Sequence, residues 1–262
     1  MSVATMTSVS QADLTEERAR RFDTDGYLVI DTLIDRPTVE ALAAAYDELL
    51  ARPREEMPTD RELGGVTRQI MLPHLYHALF RDNPALTAAR AIAAPLMGVD
   101  DPQLVYDMLI YKPPGHPAET PWHQDMAYAG QPFAPAGAAT EHTSIMQFWV
   151  ALDDVDVSTG CMHFVPGVQK QPLLPHHVAS GAEDDPGRLL AITEPDTELD
   201  LTRAVACPLS AGGATVHSYG TPHYTPANTS ATRQRRAYIF SLGDPARLRK
   251  ADPDAAKRKG VA

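Results

Sequence analysis

Apolar residues recur every three or four positions through "DRPTVEALAAAYDELLAR", where Val39, Leu42, Tyr46 and Leu49 fall on one face. That spacing predicts a helix with Asp35 as its N-cap and Pro37 in its first turn. A shorter helix is expected in "LTEERARRFDTDG", closed by the Asp25-Gly26 turn before the strand "YLVI". A further amphipathic helix is expected in "NPALTAARAIAAPLMG". After residue 102 the period shortens. "QLVYDMLIYK", "SIMQFWVALDD", "CMHFVPG", "RAVACPLSA", "GATVHSYG" and "RRAYIFSL" read as short strands between Gly-, Pro- and Asp-rich turns. Helices first and strands afterwards predict one α+β domain with a mainly β core, an antiparallel sandwich or barrel. Residues 1–13 and 246–262 read as tails around a single domain at 14–245. Two long stretches without periodicity, roughly 127–142 and 169–200, interrupt the strands. Loops of that length in a compact domain tend to be functional lids or inserts.

With 262 residues, 44% of them hydrophobic and 22% charged, the chain can bury a sizeable core. It has no run of about 18 apolar residues, so no membrane span is expected. Its opening stretch shows no basic cluster followed by an apolar segment, so no secretory signal is expected. Two cysteines, Cys161 and Cys207, allow one disulfide but better suit reduced, buried thiols in the cytoplasm. A formal charge of −11 argues against nucleic acid as a partner, because phosphate binding needs a basic face.

The candidate chemistry sits in "TPWHQDMAYAG". Residues two apart in a strand share a face, so His123 and Asp125 are expected to point into one cavity with Gln124 turned away. Imidazole nitrogen with carboxylate oxygen suits Fe(II), Mn(II) or Zn(II). A third ligand must come from far along the chain. "SYGTPHYTPANTS" offers His223, and the strand before it offers His217. Two histidines and one carboxylate form the facial triad of non-haem Fe(II) oxygenases, and zinc hydrolases use the same ligand types. The other histidines have simpler readings. His74, His77, His116 and His142 sit in loops or at helix ends, where solvation or a hydrogen bond is expected. His163, His176 and His177 are substrate-side candidates beside the second long stretch.

Four segments in order resemble the phytanoyl-CoA dioxygenase family of Fe(II)- and 2-oxoglutarate-dependent oxygenases. "FDTDGYLVIDTLID" is similar to the family's helix–Gly–strand entry, and "KPPG…WHQD" to its first metal-binding motif. "WVALDDVDVSTGCMHFVPG" is similar to its central signature, and "HYTPANTS…RRA" to its "H-x-S-x-x-N-x-S…R" ending. The resemblance implies a double-stranded β-helix (jelly-roll) core flanked by N-terminal helices. It implies Fe(II), with 2-oxoglutarate and O2 as cosubstrates and ascorbate as support in vitro. It carries the metal ligands onto His123, Asp125 and His223, preferring His223 to His217 because "HYTPAN" keeps the family's distance to an asparagine, here Asn228. Gln147 occupies a strand position that in the family often faces the cosubstrate; a structural hydrogen bond to a neighbouring strand is the other reading.

The family's cosubstrate arginine belongs on the last core strand, and its usual position falls here on Gln234, one residue out. Arg233, Arg235 and Arg236 are the candidates. Alternation favours Arg235: Ala237, Ile239 and Ser241 would then point inward and leave room for a dicarboxylate. With Arg236 inward, Tyr238 and Phe240 would fill that space. A guanidinium fork suits a carboxylate because it makes two parallel charge-assisted bonds. "PGVQK" at Pro166 to Lys170 departs from the family's "P-G-S-H". Asp125 stands where halogenating relatives carry a small residue, so halogenation is not expected.

The expected outcome is hydroxylation of a small-molecule metabolite with release of succinate and CO2. No large basic patch suits a CoA phosphate. Desaturation, epimerisation, cyclisation or endoperoxide formation at the same iron are rival outcomes. A zinc hydrolase and a non-catalytic metal-containing β-barrel are rival classes. Substrate contacts are expected from the two long loops and from the region before the first core strand. Trp122, Tyr128 and Phe133 are candidates for an apolar wall, with core packing the favoured reading for each, and Lys112 is expected to be solvated.

Overall fold

Helix α1 (Glu16–Asp25) stops at Gly26, whose φ of +83° swings the chain into strand β1 (Tyr27–Ile30). A side chain at Gly26 would meet Thr221 Oγ1 at 2.6 Å and the Gln169 amide carbon at 2.8 Å, so both conformation and space require glycine. Gln169 belongs to the "PGVQK" turn. Its amide donates to the Asp23 carbonyl at 2.8 Å and ties that turn to the end of α1. Helix α2 (Arg36–Ala51) starts as its sequence predicts: the Asp35 carboxylate accepts from the Thr38 amide at 3.0 Å, and Pro37 lies in the first turn. Asn83 caps α3 (Pro84–Met97), and Gly98 closes it in the left-handed conformation. The computed structural model describes residues 16–128, 144–180, 189–244 and 246; the tail at 1–13, nearly all of the tail at 246–262, Phe133 and His142 lie outside them.

Strands from both halves of the chain build the core. In chain order they are β2 (Asp60–Leu63), β3 (Thr67–Met71), β4 (Gln103–Lys112), β5 (Thr120–His123), β6 (Ile145–Ala151) and β7 (Met162–Phe164). They continue with β8 (His176–Val178), β9 (Leu190–Ile192), β10 (Val205–Cys207), β11 (Ala214–Ser218), β12 (His223–Thr225) and β13 (Arg235–Gly243). A seven-stranded antiparallel sheet runs β1-β11-β6-β13-β4-β3-β2, and a four-stranded one runs β10-β7-β12-β5. The sheets do not close into a barrel.

Period-2 alternation gives the large sheet two apolar faces. One, with Leu28, Leu109, Phe148, Val216, Tyr238 and Phe240, packs under α2 and α3. The other, with Ile110, Trp149, Ala237 and Ile239, packs against Met162, Phe164 and Cys207 of the small sheet. The candidate site lies between the sheets.

The order of elements corrects one expectation. Helices do not simply precede strands: β1 pairs with β11, and the β2–β3 hairpin extends the sheet from β4. Asp60, Arg61, Glu62 and Arg68 load that hairpin with charge on a half-exposed edge, which masks its alternation in the sequence. Part of the second long stretch is also ordered, as the β8–β9 ribbon. Both cysteines are free and buried. Among the described residues no helix is long and apolar enough to cross a membrane.

Candidate metal centre

Strands β5 and β12 pair antiparallel with His123 directly opposite His223, and the two rings stand 4.1 Å apart between centroids. The chain leaves β5 after His123 and enters a short 3-10 helix, Asp125–Tyr128. A shared strand face is therefore not what unites His123 with Asp125; the turn after β5 does so. Gln124 points away as expected, donating to the Gly220 carbonyl at 2.7 Å and accepting from the Leu174 amide at 3.0 Å.

One ligand atom from each of His123, Asp125 and His223 lies within 4.8 Å of the others. Both Nε2 atoms stand 3.7 Å from Asp125 Oδ1. The Nδ1 atoms bond to the carbonyls of Pro121 (2.8 Å) and Thr221 (2.9 Å), two residues back in each case. A carbonyl only accepts, so Nδ1 carries the proton and Nε2 presents its lone pair. The second Asp125 oxygen, Oδ2, receives the Gln147 amide at 2.7 Å and lies 3.2 Å from His217 Nε2.

Electrostatics supports the same division. Burial pushes the His123 pKa down and that of His223 well down, so both rings are neutral at pH 7. Burial pushes the Asp125 carboxyl up, but the His223, His217 and His123 imidazoles together outweigh it and hold the group at about 2. Two neutral nitrogens and one ionised oxygen suit a borderline divalent cation. His217, the competing histidine, stands in β11 with its Nε2 against Asp125 Oδ2, outside the convergent trio.

The three arginines part company. Arg236 faces the helices and binds Asp153 at 2.6 Å and Asp47 at 2.9 Å, while Arg233 pairs with Asp156 at 2.7 Å. Arg235 points between the sheets, is 1% exposed, and among the described residues has no hydrogen-bond partner at Nε or Nη2. Its guanidinium lies 5.4 Å from the Trp149 ring centre. Burial lowers it to about 10, which leaves it cationic at pH 7. It lines the same cavity as His123, Asp125, His223 and Gln147. Ile239 lines that cavity too, while Tyr238 and Phe240 enter the helix-side core.

Other candidates divide. Tyr128 lines the cavity, with its ring edge toward His123 and its hydroxyl accepting from the Leu190 amide at 2.9 Å. Trp122 stacks on Tyr224 and packs outside the cavity. His163 stands against Tyr224, and His176 Nε2 accepts from the Gln124 amide at 3.1 Å. His74 pairs with Asp107, and His116 bonds Thr67, as structural side chains.

Lys112 contradicts its reading: it is fully buried, because β4 alternation places it on the inward face with Tyr106, Met108 and Ile110. That alternation was the available signal for it. Thr120, Thr225, Arg61 and Gln69 also line the cavity without having been singled out. The last two sit on the hairpin whose strands the sequence hid.

The family model for phytanoyl-CoA dioxygenase (PhyH) matches residues 22–237. The chain belongs to the phytanoyl-CoA dioxygenase family. Within it, "Phytanoyl-CoA dioxygenase domain-containing protein 1" of Bos taurus is 25% identical, over 90% of this chain and 92% of that one. Among solved structures, EvdO2 from Micromonospora carbonacea var. aurantiaca, complexed with 2-oxoglutarate, is 29% identical. That match has a TM-score of 0.71 and covers 91% of this chain and 98% of EvdO2. The epimerase SnoN, solved with Fe3+, α-ketoglutarate and nogalamycin RO, is 27% identical with a TM-score of 0.66, over 87% of this chain and 83% of SnoN. The expected cupin-like, jelly-roll architecture of the phytanoyl-CoA dioxygenase family is thus the fold of this chain.

Proposed function

We propose that this protein is a non-haem Fe(II)- and 2-oxoglutarate-dependent dioxygenase that hydroxylates a small-molecule metabolite, releasing succinate and CO2. His123, Asp125 and His223 hold Fe(II), and Arg235 anchors the distal carboxylate of 2-oxoglutarate. One observation carries the reading: a single cavity joins two imidazoles and a carboxylate to a buried guanidinium with unpartnered N–H groups. A structural metal site or a zinc hydrolase has no use for that guanidinium. Fe(II), with 2-oxoglutarate and O2, supplies the oxidant that breaks a substrate C–H bond.

The protein's own residues orient and exclude. Gln147 and His217 hold Asp125 Oδ2, which leaves Oδ1 turned toward the two imidazoles. The Arg235 fork meets a carboxylate with parallel N–H groups, and Trp149 and Ile239 keep water from that end. At the other end Tyr106, Met108, Tyr128 and Leu189 offer an apolar wall with Arg61 beside it. A substrate with an apolar body and a polar or acidic group fits that lining.

We take residues 14–245 to act as one catalytic domain. The free thiols of Cys161 and Cys207 support a reducing compartment, the cytoplasm in our reading.

Purified protein given Fe(II), ascorbate and 2-oxoglutarate should release succinate, read by mass spectrometry and stimulated by the right member of a metabolite panel. No succinate across a broad panel would favour a binding protein. The likeness to the epimerase SnoN supports a second outcome at the same site. A product that gains an oxygen atom marks hydroxylation, and one of unchanged mass marks epimerisation.

A further inference from the structure

Lys112 ends the inward row of β4 that gives the cavity Tyr106, Met108 and Ile110, and it stands opposite Arg235 across β4 and β13. Both side chains are buried. The Lys112 amine reaches Pro226 O at 2.7 Å, Thr225 Oγ1 at 3.1 Å and Thr225 O at 3.4 Å. Among the described residues, no carboxylate forms an ion pair with either basic group. Two adjacent basic groups taken out of water with no direct ion-pair partner are costly to keep charged, and an anion between them would offset that cost. Thr225 and Arg235 both line the cavity, and Lys112, which does not, bonds the Thr225 hydroxyl.

An ammonium has no lone pair. Facing a charged Lys112, the Thr225 hydroxyl must accept and send its own proton elsewhere. The cavity is the side on which an acceptor would arrive.

We propose that Lys112 is a positioning residue for the cosubstrate: it turns the Thr225 hydroxyl proton toward the carboxylate at Arg235, and its charge selects a dicarboxylate over a monocarboxylate. The inference rests on the assignment of 2-oxoglutarate to this cavity. The competing role is mechanical. Through Thr225 O and Pro226 O, Lys112 also fastens the end of the strand that carries His223. A mere fastener would weaken every ligand of the cavity alike.

The test compares 2-oxoglutarate with 2-oxobutanoate, which keeps the 2-oxo acid end and lacks the distal carboxylate. Calorimetry on the Mn(II)-loaded protein gives both affinities without turnover. Lys112→Met should weaken 2-oxoglutarate by about tenfold or more, since a charge-assisted contact is lost, and leave 2-oxobutanoate within about twofold. Thr225→Val should weaken the dicarboxylate selectively too, and the double variant should fall short of the product of the single losses. Lys112→Arg should recover part of the selectivity.

Equal losses for both acids, or an unimpaired Lys112→Met, would overturn the proposal. If Lys112→Met does not fold, Lys112→Gln, which keeps a donor for Pro226 O and removes the charge, decides by the same ratio of affinities. A wild-type protein that binds neither acid overturns the cosubstrate assignment and this proposal together. Wild-type selectivity that survives in the Lys112 variants overturns this proposal alone.

Discussion

His123 and His223 are direct cross-strand partners, and their Nε2 atoms stand at the same 3.7 Å from one oxygen of Asp125. A hundred residues of chain separate the two histidines. The β5–β12 register removes that separation, and the two Nδ1–carbonyl bonds fix which nitrogen faces Asp125.

The three imidazoles near Asp125 should differ in what their loss costs. Losing a partner that only supports a ligand costs about 10–100-fold in metal affinity, and losing a ligand should cost more. His223→Ala should therefore lose bound metal almost completely, while His217→Ala should retain a weakened site. Metal titration with elemental analysis reads the difference. Equal loss in the two variants would make His217 a ligand.

Arg235 should be a burden in the ligand-free protein. A buried guanidinium with unpartnered N–H groups costs stability, and an apolar side chain of similar length removes that cost. Arg235→Met should raise the melting temperature of the ligand-free protein, by about 2–4 °C for each kcal/mol relieved in a chain of this size. It should also abolish the further rise that 2-oxoglutarate gives the metal-loaded wild type. A lower melting temperature together with intact stabilisation by 2-oxoglutarate would remove Arg235 from the site.

Its neighbour should behave in the opposite way. Arg236 bridges Asp153 and Asp47, and so joins β13 to the loop after β6 and to α2. Arg236→Ala should destabilise the fold by about 1–3 kcal/mol through lost charge-assisted bonds. Cosubstrate affinity should stay within about twofold, because a guanidinium on the helix side makes no contact in the cavity. Denaturant melts and calorimetry on the same preparation check both halves.

Cosubstrate binding should take up a proton. In the ligand-free protein burial, then Arg235, lowers Lys112 to about 6, against a small opposing pull from Glu119. His116, also near this pair, is itself held down by burial and by Lys112 and Arg235. Above pH 6 the amine is therefore largely neutral, and an arriving carboxylate favours the charged form. Affinity contributed by this group is therefore full below pH 6 and declines as pH rises above it. Calorimetry in two buffers of different ionisation enthalpy, at about pH 8, should show uptake in the wild type and less in Lys112→Met. Identical proton counts would leave Lys112 without a titrating role.

Much of this was legible in the sequence, where strong periodicity or capping chemistry spoke. Asp35 and Asn83 announce α2 and α3, and the alternation from Arg235 to Ser241 sorts one inward guanidinium from its neighbours. What stayed hidden has physical reasons. The Asp60–Met71 hairpin carries too many charges to show a period. Asp125 reaches the histidines through a turn, and spacing alone does not tell a turn from a strand. Lys112 reads as solvated by residue type, whereas its place at the end of an inward row buries it. Gln147 was ambiguous between cosubstrate and neighbour; its amide bonds Asp125 from the cavity wall, a role that depends on a contact 22 residues away in the chain.

The lacing of β13 to β4 on one side and β6 on the other has a consequence for how this chain can vary in length. Sliding β13 by one position would exchange Arg235 with Arg236 and drive Tyr238 into the cavity. The preceding turn is pinned at Asn228, Thr229 and Ser230, through Lys112 O, Pro113 O, Arg233 O, Ser158 O and the Gly115 amide, and only the exposed step at Ala231 and Thr232 is lightly held. Insertions can accumulate there while the strand stays in phase. Counting forward from His223 therefore lands on Gln234, whereas counting back from the irregularity at Ser241 and Leu242 lands on the arginine that faces inward.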